Sequence, residues 1–409
     1  MATRQTYVVV GAGITAGKAV QELREAGFDG HLVLYGEEAH LPYERPPLSK
    51  GYLTGKDDFA SAEVRPREWN RDHDVDLRLG RQVTTIDPIA RTVTAGRSRQ
   101  EYDKLLLATG SRPRHLPMAD DSAAPISYLR TVEDSDRIKS HMQLGRRLVI
   151  VGGGWIGLEV AAAARSAGAH VTVLEALDLP LVGVLGHEVA SIFASLHTSR
   201  GVDLRVEAKL ASIQGDDGAV IVNLADGSSI EAGLLVVGIG AVPETSLART
   251  AGLRTNNGIV VDQFLRTSEL DIYAAGDVAN AYHPLLDRHL RVEHWDNAIQ
   301  QGVAAARNMM GHAEPYARLP YFYSDQYDLG MEYLGNVGPD GYDEVVLRGS
   351  PADETFTAFW LREDRVLAGM HANDWDAMDA IRKIVGASHV LDDLQNVSIS
   401  LAQVAANLD

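Results

Sequence analysis

The feature that most constrains this chain is a glycine turn that occurs twice. Gly11-x-Gly13-x-x-Ala16 follows the short β-rich run Tyr7–Val10, and Gly152-x-Gly154-x-x-Gly157 follows Leu148–Val151. In such a turn the first glycine permits the tight bend and the second lets a phosphate approach the backbone. A small third residue then lets helix and strand pack closely. A helical pattern runs from the first turn to about Ala26, where Gly27 stops it, and the strand His31–Tyr35 leads into Gly36-Glu37-Glu38. After the second turn an Ala-rich helix runs to Gly168, and the strand His170–Leu174 leads into Glu175. Each βαβ unit offers one helix N-terminus, whose N–H groups and dipole favour a pyrophosphate. A glycine turn alone can be ligand-free, but strand, helix and terminal acid are in place at both sites. Two units imply two bound dinucleotides.

The remainder fills out an α/β architecture. Leu105–Leu107 followed by Ala108-Thr109-Gly110, and Leu234–Val237 followed by Gly238-Ile239-Gly240, are buried strands ending in turns. Asp271–Asp277 reads as another buried strand ending in an acid. From about Leu319 aromatic residues alternate with turns, which suggests a smaller α+β domain. A chain of 409 residues suits two or three domains.

Composition removes several function classes. A formal charge of −18 argues against general nucleic-acid binding, which needs a basic face. The runs Arg65-Pro66-Arg67 with Arg71, and Arg288 with Arg291, read as solvated faces or as a docking patch for an acidic protein. With no cysteine there is no thiol catalysis, no thiolate metal site and no internal disulfide relay. The 14 histidines show no metal-ligand spacing, so no metal is expected. No run approaches the roughly 18 apolar residues of a membrane span, and the N-terminus carries no leader pattern. A cytoplasmic protein without membrane contact is expected.

The two sites differ in chemistry. Glu175 stands where a carboxylate accepts hydrogen bonds from both ribose hydroxyls of NADH and repels a 2′-phosphate, and no Arg or Lys follows within Ala176–Leu179. NADH is therefore expected at the second site. Its hydride needs a second redox cofactor, and flavin accepts hydride and passes electrons singly. Asp277, at a strand end, suits a ribityl hydroxyl.

Several segments add a resemblance. Pro42-Tyr43-Glu44-Arg45-Pro46-Pro47-Leu48-Ser49-Lys50, Ala108-Thr109-Gly110, Tyr128-Leu129-Arg130-Thr131, Trp155-Ile156-Gly157-Leu158-Glu159, Tyr273-Ala274-Ala275-Gly276-Asp277, Glu293-His294-Trp295 and Phe322-Tyr323-Ser324-Asp325-Gln326-Tyr327-Asp328 are similar to those of the oxygenase-coupled, NADH-dependent ferredoxin reductases of the putidaredoxin reductase type. The resemblance spans essentially the whole chain. It implies the glutathione reductase fold: two Rossmann-like dinucleotide-binding domains and an α+β C-terminal domain. The boundaries expected are 1–113 with 241–318 for FAD, 114–240 for NAD, and 319–409.

By the same resemblance Thr15, Ala16, Glu37, Arg45, Lys50, Val83, Ala108, Thr109, Gly110, Arg130, Asp277, His294 and Trp295 would line FAD, beside Gly11 and Gly13. Ile156, Glu159, Glu175, Gly240 and Glu293 would line NADH, beside Gly152, Gly154 and Gly157. Lys50 and Glu159 would pair beside the reacting ring atoms and act catalytically. A lysine there stabilises the anionic reduced flavin, and a carboxylate keeps it charged and oriented; a routine salt bridge is the plain alternative. Trp295 reads either as a flavin contact or as a buried anchor. The implied partner is a small acidic iron–sulfur ferredoxin, and through it a monooxygenase or dioxygenase, with the reductase a monomer or weak homodimer. Rubredoxin, a quinone or oxygen as acceptor, or a non-catalytic NADH-sensing role, are the alternatives.

Three departures bear on the acceptor. Tyr323 replaces the tryptophan of the usual aromatic-Phe-Trp-Ser-Asp-Gln run, and reads either as an electron exit or as a core aromatic. Leu179–His187 lacks the arginines common after the NAD-binding strand. Ala372-Asn373-Asp374-Trp375-Asp376 replaces the usual C-terminal Asn-Arg-Pro-x-Asp segment.

Overall fold

The structure, a computed structural model, describes residues 4–338 and 340–408. The chain forms two compact units, each assembled from three separate stretches. The first takes the residues up to Pro46, Asp58–Arg112 and Ala241–Arg318; the second takes Pro47–Asp57, Pro113–Gly240 and the chain from Leu319 onward.

The first unit is organised by a five-stranded parallel sheet, in the order Ile272–Ala274, Lys104–Leu107, Thr6–Val10, His31–Tyr35, Val75–Arg78. Its central strands are apolar on both faces: Val8, Val9, Leu32, Val33, Leu34, Leu105, Leu106 and Leu107 are all fully buried. That continuous pattern belongs to a parallel sheet covered on two sides. The helices Ile14–Glu25 and Trp295–Met309 pack against each other so closely that a Cβ at Gly302 would stand 2.5 Å from the Thr15 carbonyl oxygen. An ion pair between Arg307 and Glu22, 2.7 Å, lies on the same two helices. The segment read as one strand from Asp271 to Asp277 is shorter than expected. Pairing ends at Ala274, and Gly276–Val278 turns as a 3₁₀ segment that carries Asp277.

The second unit repeats the parallel sheet in the order Asp203–Arg205, His170–Leu174, Arg147–Val151, Leu234–Val237, Ile126–Ser127. An antiparallel three-stranded meander, Leu210–Asp216, Ala219–Leu224 and Ser229–Ala232, stands between two of its strands in sequence. The C-terminal part is a five-stranded antiparallel sheet, Tyr321–Gln326, Leu329–Gly335, Arg365–Ala372, Thr355–Arg362, Glu344–Ser350, followed by three short helices.

One buried apolar cluster joins that sheet to the nucleotide-binding part of the unit, running through Ile150, Leu158, Phe193, Met331, Trp360 and Met370. Aromatic rings form a ladder through it. Trp155 meets Phe193 edge-on at 5.7 Å and Phe322 at 5.2 Å; Phe322 stacks on Tyr333 at 4.6 Å, which meets Trp360 at 5.3 Å. Trp360 Nε1 donates to the Leu185 carbonyl at 2.9 Å, so the largest buried ring is also hydrogen-bonded. The stretch Pro47–Asp57 is held in the same unit. Leu53 enters the cluster, Ser135 Oγ donates to the Leu48 carbonyl at 2.8 Å, and Lys139 Nζ donates to the Tyr52 carbonyl at 3.1 Å. Lys50 is carried on this stretch.

Candidate dinucleotide and redox sites

Both glycine turns have the same construction. Gly11 has φ +116°, and a Cβ there would stand 2.1 Å from the Ala108 carbonyl oxygen; Gly152 has φ +106°, and its Cβ would stand 2.3 Å from that of Gly238. Only glycine fits either place. Gly13 and Gly154 open the two helices with no side-chain cap, and a Cβ at either meets no protein atom within 4 Å. The first helical turns therefore end in uncapped amides facing open space, the arrangement a pyrophosphate fits. Ala16 is fully buried. At Gly157 a Cβ would stand 2.1 Å from the Gly152 carbonyl oxygen, so no side chain is possible there.

In the first unit Glu37 is exposed just past the strand His31–Tyr35. Arg45 is engaged by the neighbouring acid: it pairs with Glu38 at 2.8 Å, and Tyr43 OH donates to the other Glu38 oxygen at 2.6 Å. Burial would lower the Arg45 guanidinium pKa, but Tyr43 and Glu38, with Asp277 further off, raise it. The arginine is thus a fixed cation. Ser111 Oγ donates to Asp277 at 3.0 Å, and Thr109 Oγ1 donates to the Glu244 carbonyl at 2.8 Å, in the turn Ala108-Thr109-Gly110. Thr15 is buried beneath Gly276, where a Cβ would stand 2.3 Å from its hydroxyl. Val83 is buried. His294 is the N-cap of the helix Trp295–Met309, and Trp295 Nε1 donates to Glu44 at 2.9 Å. Glu293 forms an ion pair with Arg291.

In the second unit Glu175 is tied to its own backbone: one oxygen accepts from the Gly153 N–H at 2.7 Å, the other from the Leu177 N–H at 2.8 Å. Sequence reasoning did not anticipate this tie, which sets the carboxylate beside the fingerprint turn. Ile156 is half exposed at the start of the helix Trp155–Ser166. Gly240, with φ +104°, accepts from the Arg114 N–H at 2.9 Å. The Arg130 N–H donates to Asp134 at 3.1 Å, next to the Thr131 capping box of the helix Val132–His141.

Lys50 and Glu159, far apart in sequence, meet at 2.7 Å between Nζ and Oε2, with Glu159 5% exposed. Sequence reasoning missed the two hydroxyls that share this carboxylate. Ser49 Oγ donates to Oε2 at 2.5 Å and Ser324 Oγ donates to Oε1 at 2.7 Å. Both serines lie inside the motifs that carried the family resemblance, which was the available signal. The Tyr323 ring lies 5.3 Å from Lys50 Nζ. Of the residues assigned to FAD by resemblance, Lys50 and Arg130 belong to the second unit and the rest to the first; of those assigned to NADH, Glu293 belongs to the first.

Two uncapped fingerprint helices, each followed by a strand-end acid, and one buried lysine–carboxylate pair define a dinucleotide-dependent oxidoreductase. The chain belongs to the pyridine nucleotide-disulphide oxidoreductase family, whose model matches residues 5–302; a reductase C-terminal domain matches residues 321–405. It is 38% identical over 391 residues to the anthranilate 1,2-dioxygenase system ferredoxin–NAD(+) reductase component of Burkholderia cepacia, covering 95% of this chain and 96% of that protein. It is 36% identical to putidaredoxin reductase of Pseudomonas putida, covering 90% and 88%. The crystal structure of a covalent putidaredoxin reductase–putidaredoxin complex superposes with a TM-score of 0.93 at 34% identity, covering 99% of each chain. The expected glutathione reductase-type α/β fold with an α+β C-terminal domain is thereby borne out.

Proposed function

We propose that this chain is an NADH-dependent ferredoxin reductase that uses FAD and delivers single electrons to an iron–sulfur ferredoxin serving an oxygenase. The observation that carries this reading is the pair of uncapped fingerprint helices together with the buried Lys50–Glu159 pair. The relatives named above, reductases of oxygenase systems, support it. FAD, when bound, supplies a two-electron acceptor that can release its electrons one at a time.

The chain's own residues do the rest. Gly11, Gly13 and Ala16 make the cradle for the FAD pyrophosphate, with Glu37 for the ribose and Asp277 for the ribityl chain. Thr15, Arg45, Val83, Ala108, Thr109, Gly110, Arg130, His294 and Trp295 complete that lining. Gly152, Gly154, Gly157, Ile156, Gly240, Glu293 and Glu175 hold NADH, and the Glu175 carboxylate excludes a 2′-phosphate. Lys50 holds a positive charge for the reduced ring, and Glu159 orients it. Functionally we assign 1–113 with 241–318 to FAD, 114–240 to NAD, and 319–409 to the C-terminal domain. The ferredoxin is small and acidic, the reductase is a cytoplasmic monomer or weak homodimer, and Tyr323 stands where the family has tryptophan.

The test is NADH-driven cytochrome c reduction by the FAD-loaded protein with and without a ferredoxin from the same genome. Rapid reduction that requires the ferredoxin supports the reading. Equal rates without it overturn ferredoxin as the acceptor, and slow flavin reduction with a persistent charge-transfer band points to a sensor.

A further inference from the structure

Glu159 is the end point of a longer buried chain of polar groups, all within the second unit. Ser324 Oγ, 2.7 Å from Glu159 Oε1, itself accepts from Gln326 Nε2 at 3.1 Å. Gln326 Oε1 lies 2.8 Å from His197 Nε2, and His197 Nδ1 lies 3.4 Å from Tyr327 OH. Ser324 and Gln326 sit two apart on the strand Tyr321–Gln326 and so share a face. His197 comes from the helix Val182–Ser199 and Glu159 from the helix Trp155–Ser166. Ser324, Gln326 and His197 are each at most 1% exposed.

The chemistry of these groups allows one direction only. An ionised carboxylate donates nothing, so the single Ser324 proton points at Glu159. The serine lone pairs then accept from the Gln326 amide, which turns its carbonyl toward His197. That carbonyl accepts, so His197 carries its proton on Nε2, and its Nδ1 accepts from Tyr327. Burial lowers the His197 pKa to about 4, against a smaller raising effect of the Gln326 bond, so the ring is neutral in ordinary buffers. The groups facing it are Gln326 and Tyr327, with Arg200 stacked over the Tyr327 ring at 5.2 Å. With Ser49 and Lys50 on Oε2 and Ser324 on Oε1, the side chains bonded to Glu159 all donate to it. The Asp325 carboxylate is a neighbouring acid, its pKa raised chiefly by desolvation, against Lys50 and with Glu159.

We propose that His197 and Gln326 are positioning residues for the redox site: with Tyr327 and Ser324 they form a one-way series of donors that ends on Glu159 and fixes its carboxylate for Lys50. This rests on the reading that Lys50 and Glu159 serve flavin reduction.

The experiment compares His197→Leu, His197→Gln and Gln326→Leu in the FAD-loaded protein. The limiting rate of flavin reduction by NADH falls about tenfold in His197→Leu and Gln326→Leu, the effect expected for loss of one buried hydrogen bond. The Kd for NADH stays within about twofold. His197→Gln, whose amide N–H stands in for Nε2–H, recovers most of the rate and also guards against a merely misfolded leucine variant. A second readout is independent of turnover: ¹⁵N-histidine spectra show His197 as the neutral Nε2–H tautomer between about pH 5.5 and 8. An Nδ1–H tautomer, or wild-type reduction rates in both leucine variants, overturns the proposal. If Lys50→Met reduces at the wild-type rate, the reading of the redox site fails instead, while the tautomer spectra still judge the hydrogen-bond series.

Discussion

At the residue scale, Lys50 and Glu159 show what a buried ion pair needs. A lone pair of this kind is weak evidence for stability, because desolvation offsets the attraction. Here the carboxylate also accepts from Ser49 and Ser324, so the remaining lone pairs are satisfied. Removing the charge should therefore be felt in rate more than in binding. Lys50→Met is expected to slow flavin reduction at least tenfold with little change in NADH affinity, as read by stopped-flow absorbance. His197 supplies a second test. Its folded pKa of about 4 lies below the ordinary 6.5, so the unfolded chain takes up the proton first as pH falls. The stability tied to the neutral ring is complete above about pH 6.5 and declines toward pH 4, by about 3 kcal/mol in total. Urea unfolding across that range should show the decline, and His197→Leu should flatten it.

The regular elements divide into those the sequence announces and those it does not. The fingerprint strands and helices were legible because glycine spacing, apolar runs and terminal acids coincide at Gly11–Glu37 and Gly152–Glu175. The pairing of Lys50 with Glu159 was reached through family resemblance, since no local pattern links them. The Ser324–Gln326–His197 series was legible only in part: Ser324 and Gln326 fall inside a motif of the family resemblance, but nothing in the sequence linked them to His197. It needs a strand face and a helix brought together by tertiary packing, and single polar residues in apolar runs do not reveal their partners. The aromatic ladder was half legible: the aromatic-rich stretch from about Leu319 pointed to a smaller α+β domain, but not to what its rings pack against. Trp360→Ala removes a fully buried ring and its bond to Leu185. It should cost about 3–5 kcal/mol, measured by urea unfolding followed by far-ultraviolet circular dichroism.

For the molecule as a whole, charge governs the approach of a partner. The net charge of −18 repels an acidic ferredoxin at long range. The arginine runs that oppose it are partly neutralised within the chain: Arg65 pairs with Glu25, Arg71 with Asp72 and Arg291 with Glu293. Turnover with an acidic ferredoxin should accordingly rise as salt goes from about 10 to about 150 mM, because screening weakens the repulsion. A steep fall over the same range would show that a local basic surface controls docking. Among the described residues no helix is long and apolar enough to cross a membrane.

The three-stretch construction of each unit has a consequence for synthesis. A ribosome delivers Lys50 long before Glu159, and Ser324 later still; at about 5–20 residues per second the delay from lysine to serine is roughly 15–55 s. The first sheet likewise waits for Ile272–Ala274 to supply its edge. Neither unit can close on a nascent chain until most of it has emerged, so strands such as Thr6–Val10 spend that interval without their full complement of neighbours. Chaperone dependence during expression, rather than instability of the finished protein, is the cost that such an interleaved chain carries.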